Sequence, residues 1–430
     1  MKEKISVITM GCSKNTVDSE RLMAQLKIND FELVEDPNNS DVVIINTCGF
    51  INDAKEESIN AILEAAELKK EHKVKKVIVA GCLSQRYEFE LKNDIPEVDK
   101  YFGTEDYKGI VEELGGQLRT ELLGERELSS PRHYAYLKIS EGCDNPCSFC
   151  AIPLIRGGHH SKSIELLLEE TNALARKGVK ELIIIGQDTT DYGIDIYGKR
   201  LLAELLNKLS TIGGIEWIRL LYTYPSHFPD DVIDEIAQNP KVLNYIDMPL
   251  QHISEEVLKS MRRGISSRRT KDLIQKLKNR IPDLTLRTTF IVGYPNETEK
   301  DFNELCDFVE EVQFDRVGVF NYSQEENTTG YELGDPIPEE EKERRLSELM
   351  EIQRKISLEK NESLVGKELN VIIDDLEDEY YIGRSTKDAP EVDGEVLISS
   401  KNNIAEIGKI YSTEIIDCND YDLFAKLLVK

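Results

Sequence analysis

The sequence has no run approaching the roughly 18 consecutive apolar residues of a membrane-spanning helix. It also lacks a charged-then-apolar leader, because the opening MKEKISVITMGCSKN turns polar after a few residues. A soluble, cytoplasmic protein is expected, with no membrane partner. Basic residues are in deficit: 54 Lys and Arg stand against 81 Asp and Glu, a net charge of -27. Such a chain repels phosphate backbones unless its cations are locally concentrated, and it suits a basic protein partner better. There is no Walker pattern, and GYPNET, from Gly293, is too short and irregular for a phosphate loop. Cysteine is scarce as well. Eight in 430 residues are too few for a disulfide scaffold, so in a reducing compartment their clustering points to metal or redox chemistry.

What is present falls into three blocks, and a chain of this length calls for two or three cores. KISVITM (Lys4 to Met10), DVVIINT (Asp41 to Thr47) and KKVIVAG (Lys75 to Gly81) read as buried strands. Helical patterns separate them, DSERLMAQL and the amphipathic stretch from Ala54 to Lys70. This alternation implies a parallel α/β sheet, assigned to residues 1–118. Glycines and charges from about Gly115 to His133 suggest a linker. Six further strands are expected near YAYLKI, ELIIIG, EWIRLLY, LNYIDM, LTLRTTFIVG and DRVGVF, between helical patterns such as SIELLLEETNALARKG and ETEKDFNELCDFVEEV. Within residues 129–360 they make an open six-stranded (β/α) barrel, short of the closed eight. EEEKERRLSELMEIQRKISLEK then sets Leu346, Leu349, Ile352 and Ile356 at the spacing of a packing helix. From about Gly366 the alternating strands LNVIID, YYIGRS, EVLISS and GKIYSTEII suggest a small antiparallel β-barrel, assigned to residues 361–430.

Six of the eight cysteines form two sets of three. Cys12, Cys48 and Cys82, in MGCSKN, NTCGF and AGCLSQ, each follow the end of an expected strand. Parallel strands bring such ends together at the crevice where open α/β folds place ligands. Cys143, Cys147 and Cys150 have the spacing CxxxCxxC directly after the first barrel strand, on the rim where barrel enzymes keep their chemistry. Soft thiolates select zinc or iron-sulfur clusters. A closed zinc site wants a fourth ligand, which would have to be His159 or His160 in RGGHH, read as a solvated loop. Three thiolates on a four-iron cubane instead leave one iron free to hold a substrate. Cys306, in the apolar stripe of an amphipathic helix, and Cys418, alone after a terminal strand, read as ordinary packing residues.

Several barrel strands end in loops that would line the same rim: GQDTTDYG, YPSHF, PLQHIS and GYPNET. Gly186 and Gly293 would let a ligand approach the backbone, and Gln187, Asp188 and Gln251 are candidate hydrogen-bonding partners for it. Arg262, Arg263, Arg268 and Arg269, in MRRGISSRR, read as a solvated charge run.

CxxxCxxC with Phe149 before its last cysteine, at the mouth of a six-unit barrel, resembles the radical S-adenosylmethionine superfamily. The resemblance implies that the free iron chelates the amino and carboxylate groups of S-adenosylmethionine, whose sulfonium is then cleaved to methionine and a 5'-deoxyadenosyl radical. Over the whole chain, GCSKNTVDSERL, the three strand-end cysteines, EGCDNPCSFCAIPLIRG, IIIGQDTTDYG, NYSQEENTTGYEL and the terminal barrel are similar to the methylthiotransferases. That implies a second four-iron cluster on Cys12, Cys48 and Cys82, again with an open iron, and a TRAM domain at the end. GCSKN and EGCDNPCSFC are more similar to the branch that modifies an aspartate of the twelfth protein of the small ribosomal subunit than to the tRNA branch. Replacing an aliphatic C-H by C-S-CH3 needs a radical step, because an unactivated carbon has no usable acidity. An electron donor and a sulfur source are implied partners.

From Val365 to Lys430 there are seven Lys and Arg and fifteen Asp and Glu, a net charge of -8. An RNA-binding barrel should carry a basic stripe, so tRNA is not favoured. A basic ribosomal protein fits by complementarity, with Asp374, Asp375, Glu377 and Asp378 as expected contacts. The rivals are a tRNA (isopentenyl-adenosine) methylthiotransferase and a non-enzymatic iron-sulfur electron carrier, which would not cleave S-adenosylmethionine.

Overall fold

The structure is a computed structural model that describes residues 2–122, 124–129, 131–401 and 404–428. The first block contains β1 (Lys4–Thr9), β2 (Glu32–Leu33), β3 (Val42–Thr47), β4 (Lys76–Gly81) and β5 (Lys100–Tyr101), all parallel, in the order β2-β1-β3-β4-β5. All of β3 is buried because helices cover both faces of the sheet. Val43 and Ile45 pack with Ile62 of the helix Asn52–Lys70 and Leu83 of the helix Cys82–Asp94. Val42 and Ile44 meet Leu22 and Leu26 of the helix Ser13–Ile28 on the other side. The two-residue edge strands β2 and β5 were not expected, since two residues cannot display a period-2 pattern.

The second block opens with β6 (Tyr134–Lys138), followed by the short antiparallel pair β7 (Ser140–Glu141) and β8 (His160–Ser161). β9 (Glu181–Ile185), β10 (Trp217–Leu220), β11 (Val242–Asp247), β12 (Thr285–Val292) and β13 (Arg316–Asn321) complete a six-stranded parallel sheet in simple chain order, open between β6 and β13. The continuous apolar run of β9 reflects two buried faces. Leu182 and Ile184 join the core under the outer helices, whereas Ile183 and Ile185 join an inner cluster with Tyr136, Trp217 and Tyr245. Val17, from the first block, belongs to that inner cluster, so the helix Ser13–Ile28 packs into the barrel's interior. The helix Glu339–Glu362 lies along the outside and buries Leu349 and Ile356.

The segment Gly115 to His133, expected as a linker, is pinned between the blocks. It holds a helical turn at Thr120–Leu122, and Arg126 is 1% exposed, donating from Nε to Glu20 at 2.9 Å and from Nη1 to Glu170 at 3.4 Å. Arg126 is thus paired inside the molecule, whereas Arg119, Glu121 and Arg132 stay exposed.

The last block closes as a barrel of β14 (Glu368–Glu377), β15 (Tyr380–Ser385), β16 (Val396–Ser399), β17 (Ile410–Cys418) and β18 (Leu423–Leu427), in the order β14-β15-β16-β18-β17. Its pairs are antiparallel except β16 with β18, which is parallel, and β18 was not among the expected strands. Cys418 is the last residue of β17 and Cys306 is buried in the helix Glu299–Val312. The end of β15 and its connection to β16 seal the floor of the six-stranded barrel: Arg384 pairs with Glu181 at 2.6 Å, Arg316 with Asp388 at 2.7 Å, and Tyr245 donates to Asp393 at 2.6 Å. Asp374, expected on the acidic surface, is instead tied to Arg384 and, at 2.6 Å, to His133. Among the described residues no helix is long and apolar enough to cross a membrane.

Candidate functional site

Cys12 is the N-cap of the helix Ser13–Ile28, Cys48 directly follows β3, and Cys82 opens the helix that follows β4. The three parallel strand ends therefore gather them. Asn15 stitches these loops together. Its Nδ2 donates to the carbonyls of Met10 at 2.8 Å and Thr47 at 3.0 Å, and its Oδ1 accepts from the Cys82 thiol at 3.7 Å. Gly11, at φ +84°, gives Cys48 its room: a Cβ there would lie 2.5 Å from the Cys48 Cβ.

The second set lies on the loop after β7. Gly142, at φ +72°, brings this loop against its own return, and a Cβ at that position would stand 2.0 Å from the Gly158 carbonyl oxygen. Gly142→Ala is therefore expected to cost at least the 1–2 kcal/mol or so of a left-handed alanine, and to lower the iron bound per chain, checked by thermal unfolding and iron analysis. Asn145 donates to Cys143 Sγ from its backbone at 3.5 Å and from Nδ2 at 3.4 Å; Nδ2 also reaches Asp188 at 2.7 Å. Arg263 donates from Nη1 to Cys147 Sγ at 3.3 Å, and the Tyr224 hydroxyl lies 3.7 Å from the same sulfur. Ser148 is held by the Tyr294 hydroxyl at 2.9 Å, and its carbonyl accepts from the Gly330 N-H at 2.6 Å. Phe149 packs against the buried cluster of Val257, Met261, Tyr294 and Tyr322.

The two sets meet. Cys82 shares a buried cluster with Ala151, the residue after Cys150, and Ile155. Arg156, at the end of the helix Ile152–Arg156, donates from Nη2 to Asn15 Oδ1 at 2.6 Å and from Nη1 to Asp18 at 3.1 Å and Glu141 at 2.9 Å. A second tie comes from the loop after β13: Glu325, 3% exposed, pairs with Lys55 at 2.7 Å and Arg86 at 2.5 Å, both in the first block.

Burial pushes the Cys82 and Cys150 thiols up to about 12 and the Cys143 thiol up to about 11, and it raises Cys48 as well. Thiolates at these positions need a cation, which a coordinated metal supplies. The only thiol, imidazole or carboxylate groups gathered as a trio within 4.8 Å among the described residues are Asp18, Glu105 and Glu141. That trio surrounds the Lys138 ammonium, 2.8 Å from Glu105 and 2.5 Å from Glu141. Neither cysteine set is drawn together that tightly, whereas ligands at about 2.3 Å from one tetrahedral zinc place their sulfurs about 3.8 Å apart.

Of the expected rim residues, Asp188 reaches the cysteine loop through Asn145, and burial raises its carboxyl. Gln187 donates to Glu141 at 2.5 Å, with its own Oε1 buried and unpartnered. Gly186 leaves room for the Ser140 hydroxyl, 2.7 Å from where a Cβ would sit. Gln251 extends the pairing to β12 at φ +73°. At Gly293 a Cβ would lie 2.4 Å from the Lys342 side chain, so packing also favours glycine there. Two expectations of solvated groups are corrected. His159 is 5% exposed and bonded to Ser161 at 3.1 Å, and Arg263 is buried beside Cys147 while Arg262, Arg268 and Arg269 are exposed. Sequence reasoning missed Asn15, Asn145 and Arg156, although GCSKN and EGCDNPCSFCAIPLIRG contain them.

Residues 4–103 match the Uncharacterized protein family UPF0004, residues 137–309 the Radical SAM superfamily and residues 365–428 the TRAM domain. The fold is similar to that of the radical S-adenosylmethionine methyltransferase TsrM from Kitasatospora setae, with TM-score 0.55, 14% identity and 77% of each chain covered. It is also similar to the cobalamin-dependent S-adenosylmethionine radical enzyme OxsB, with TM-score 0.53 and 12% identity over 82% of this chain and 56% of that one. An open parallel barrel with CxxxCxxC at its rim thus has the fold of the radical S-adenosylmethionine class, which implies one four-iron cluster and S-adenosylmethionine. Among curated proteins, the chain is 52% identical over 431 residues, 100% of its length and 99% of the relative's, to the ribosomal protein uS12 methylthiotransferase RimO of Chloroherpeton thalassium. It is 51% identical over 427 residues, 99% of its length and 95% of the relative's, to the RimO of Christiangramia forsetii. The chain belongs to the RimO family.

Proposed function

We infer that the protein is a transferase that installs a methylthio group on the β-carbon of an aspartate in ribosomal protein uS12, at the expense of S-adenosylmethionine. The observation that carries this reading is the contact between the loops that carry the two cysteine sets, Cys82 against Ala151 with Arg156 on Asn15. It unites the first block and the barrel at one interface, which a reaction using both requires. On this reading Cys143, Cys147 and Cys150 hold one four-iron cluster with S-adenosylmethionine, and Cys12, Cys48 and Cys82 hold a second at which sulfur is delivered. Bound there, these groups supply radical cleavage of S-adenosylmethionine and the sulfur to be transferred. The chain's own share is placement. Asn145 and Arg263 orient the sulfurs of Cys143 and Cys147, and the rim residues Phe149, Gly186, Gln187, Asp188, Gln251 and Gly293 border the site proposed for S-adenosylmethionine. The β15–β16 connection excludes water from the barrel floor. An external electron donor and a sulfur source complete the partners, and the site of action is the cytoplasm.

The substrate side rests on charge. Asp375, Glu377 and Asp378 remain exposed on the terminal barrel once Asp374 is set aside as an internal group. Changing these three to Asn, Gln and Asn is expected to raise the apparent KM for uS12 several-fold at low salt, with S-adenosylmethionine cleavage unchanged; an unaltered KM would count against this face. The activity itself is tested by anaerobic incubation of iron-loaded protein with reductant, sulfide and S-adenosylmethionine, offering uS12 and bulk tRNA in parallel. Mass spectrometry should find the methylthio group on a uS12 aspartate. Modification of tRNA instead would keep the chemistry and overturn the substrate.

A further inference from the structure

Arg263 departs from its neighbours in MRRGISSRR. It is 4% exposed and, among the described residues, forms no ion pair with a carboxylate, although burying a lone guanidinium is strongly unfavourable. Nη2 donates to the Pro249 carbonyl, Nη1 to Cys147 Sγ at 3.3 Å, and Nε is buried with no partner. Tyr224 fixes the group from one side: the guanidinium lies 4.3 Å over its ring, and its hydroxyl donates to the Arg263 carbonyl at 2.6 Å. The nearby carboxylate of Asp188 is occupied by Asn145 and Thr190. The group that faces this unpaired cation is therefore the Cys147 sulfur. Cys143 is bonded by the neutral Asn145 instead, so the set is electrostatically uneven.

We propose that Arg263 is a positioning residue that serves as the counter-ion of Cys147 and raises the reduction potential of the cluster held by Cys143, Cys147 and Cys150. This rests on the reading of that set as a cluster site. Hydrogen bonds to ligating sulfur and nearby positive charge stabilise the more negative, reduced form of a cluster. Reduction is the step on which S-adenosylmethionine cleavage depends. A fixed charge at one sulfur makes that step easier without touching the substrate.

The test is a redox titration followed by electron paramagnetic resonance, without S-adenosylmethionine, on the full chain and on Arg263→Gln and Arg263→Lys. The barrel cluster is recognised in each by the change of its signal when S-adenosylmethionine is added afterwards. Arg263→Gln is expected to move its midpoint to more negative potential, with Arg263→Lys in between, while the first-block cluster keeps its midpoint and so reports an intact fold. An unchanged midpoint in iron-loaded Arg263→Gln overturns the proposal. Should that variant bind no iron, Arg263→Lys decides, because lysine lacks the forked pair of nitrogens that places one on Pro249 and the other on Cys147: a displaced midpoint supports the proposal and an identical one overturns it. Absence of any four-iron cluster on the barrel set of the unaltered protein would overturn the cluster reading as well, which separates the two failures.

Discussion

Replacing Cys48 by Ala is expected to leave S-adenosylmethionine cleavage running while methylthiolation falls to background, whereas Cys147→Ala abolishes both. The asymmetry follows from where the two cysteines sit. Cys48 lies beyond β3, its backbone N-H and carbonyl both held by the Ser58 hydroxyl at 3.0 Å, and it belongs wholly to the first block. Cys147 is on the barrel rim, with Arg263 and Tyr224 packed around its sulfur. Removing one thiol from the first set should therefore disable sulfur delivery without disturbing the barrel loop. Parallel assays of 5'-deoxyadenosine and of methylthio-uS12 read the two activities separately. Full methylthiolation by Cys48→Ala would remove the first set from the reaction.

Arg156→Gln should be the most destabilising single change at the domain junction, by roughly 3–5 kcal/mol, the usual cost of removing one partner from a buried ionic network. Arg156 faces Asp18, Glu141 and Asn15, and without it Lys138, helped by Arg21 at 4.0 Å from Glu105, would have to offset Asp18, Glu105 and Glu141. Burial works against the charge on Asp18 and Glu141, yet Lys138 and Arg156 hold both carboxyls below their ordinary range. Burial opposes ionisation of Glu170 too, but Lys162, Arg21 and Arg126 bring it down to about 2. Carboxyls depressed on folding contribute stability that is complete above their unfolded values, near 4, and is lost as pH falls through the folded ones. The unaltered protein should thus lose thermal stability steeply below about pH 4, and Arg156→Gln should start lower and lose less over that window. Equal unfolding temperatures for the two at pH 7 would contradict the role given to Arg156.

The six barrel strands and the gathering of each cysteine set were legible because their signals are local. Short continuous apolar runs mark strands buried on both faces, and a cysteine at a strand's end travels with that strand. What was not legible depends on partners remote in sequence. Arg126 reads as linker polarity until it meets Glu20, 106 positions away, and nothing near Arg384 in the chain marks it as the partner of Glu181, 203 positions away. His159, Arg263 and Asp374 misled for the same reason, since a polar side chain looks solvated when its buried partner lies elsewhere in the chain. Asn15 and Arg156 stood inside motifs already singled out, but nothing in their spacing told that one would clasp the other across 141 positions. The short strands β2, β5, β7 and β8 carry too few residues for any periodicity.

The pairing of the two cysteine sets is tested most directly by counting iron and acid-labile sulfide in anaerobically reconstituted protein, beside a variant with Cys12, Cys48 and Cys82 changed to Ala and another with Cys143, Cys147 and Cys150 so changed. Two four-iron clusters predict about eight iron atoms per chain, falling to about four in either variant. About four iron atoms in the unaltered chain, undiminished by loss of the first set, would contradict it.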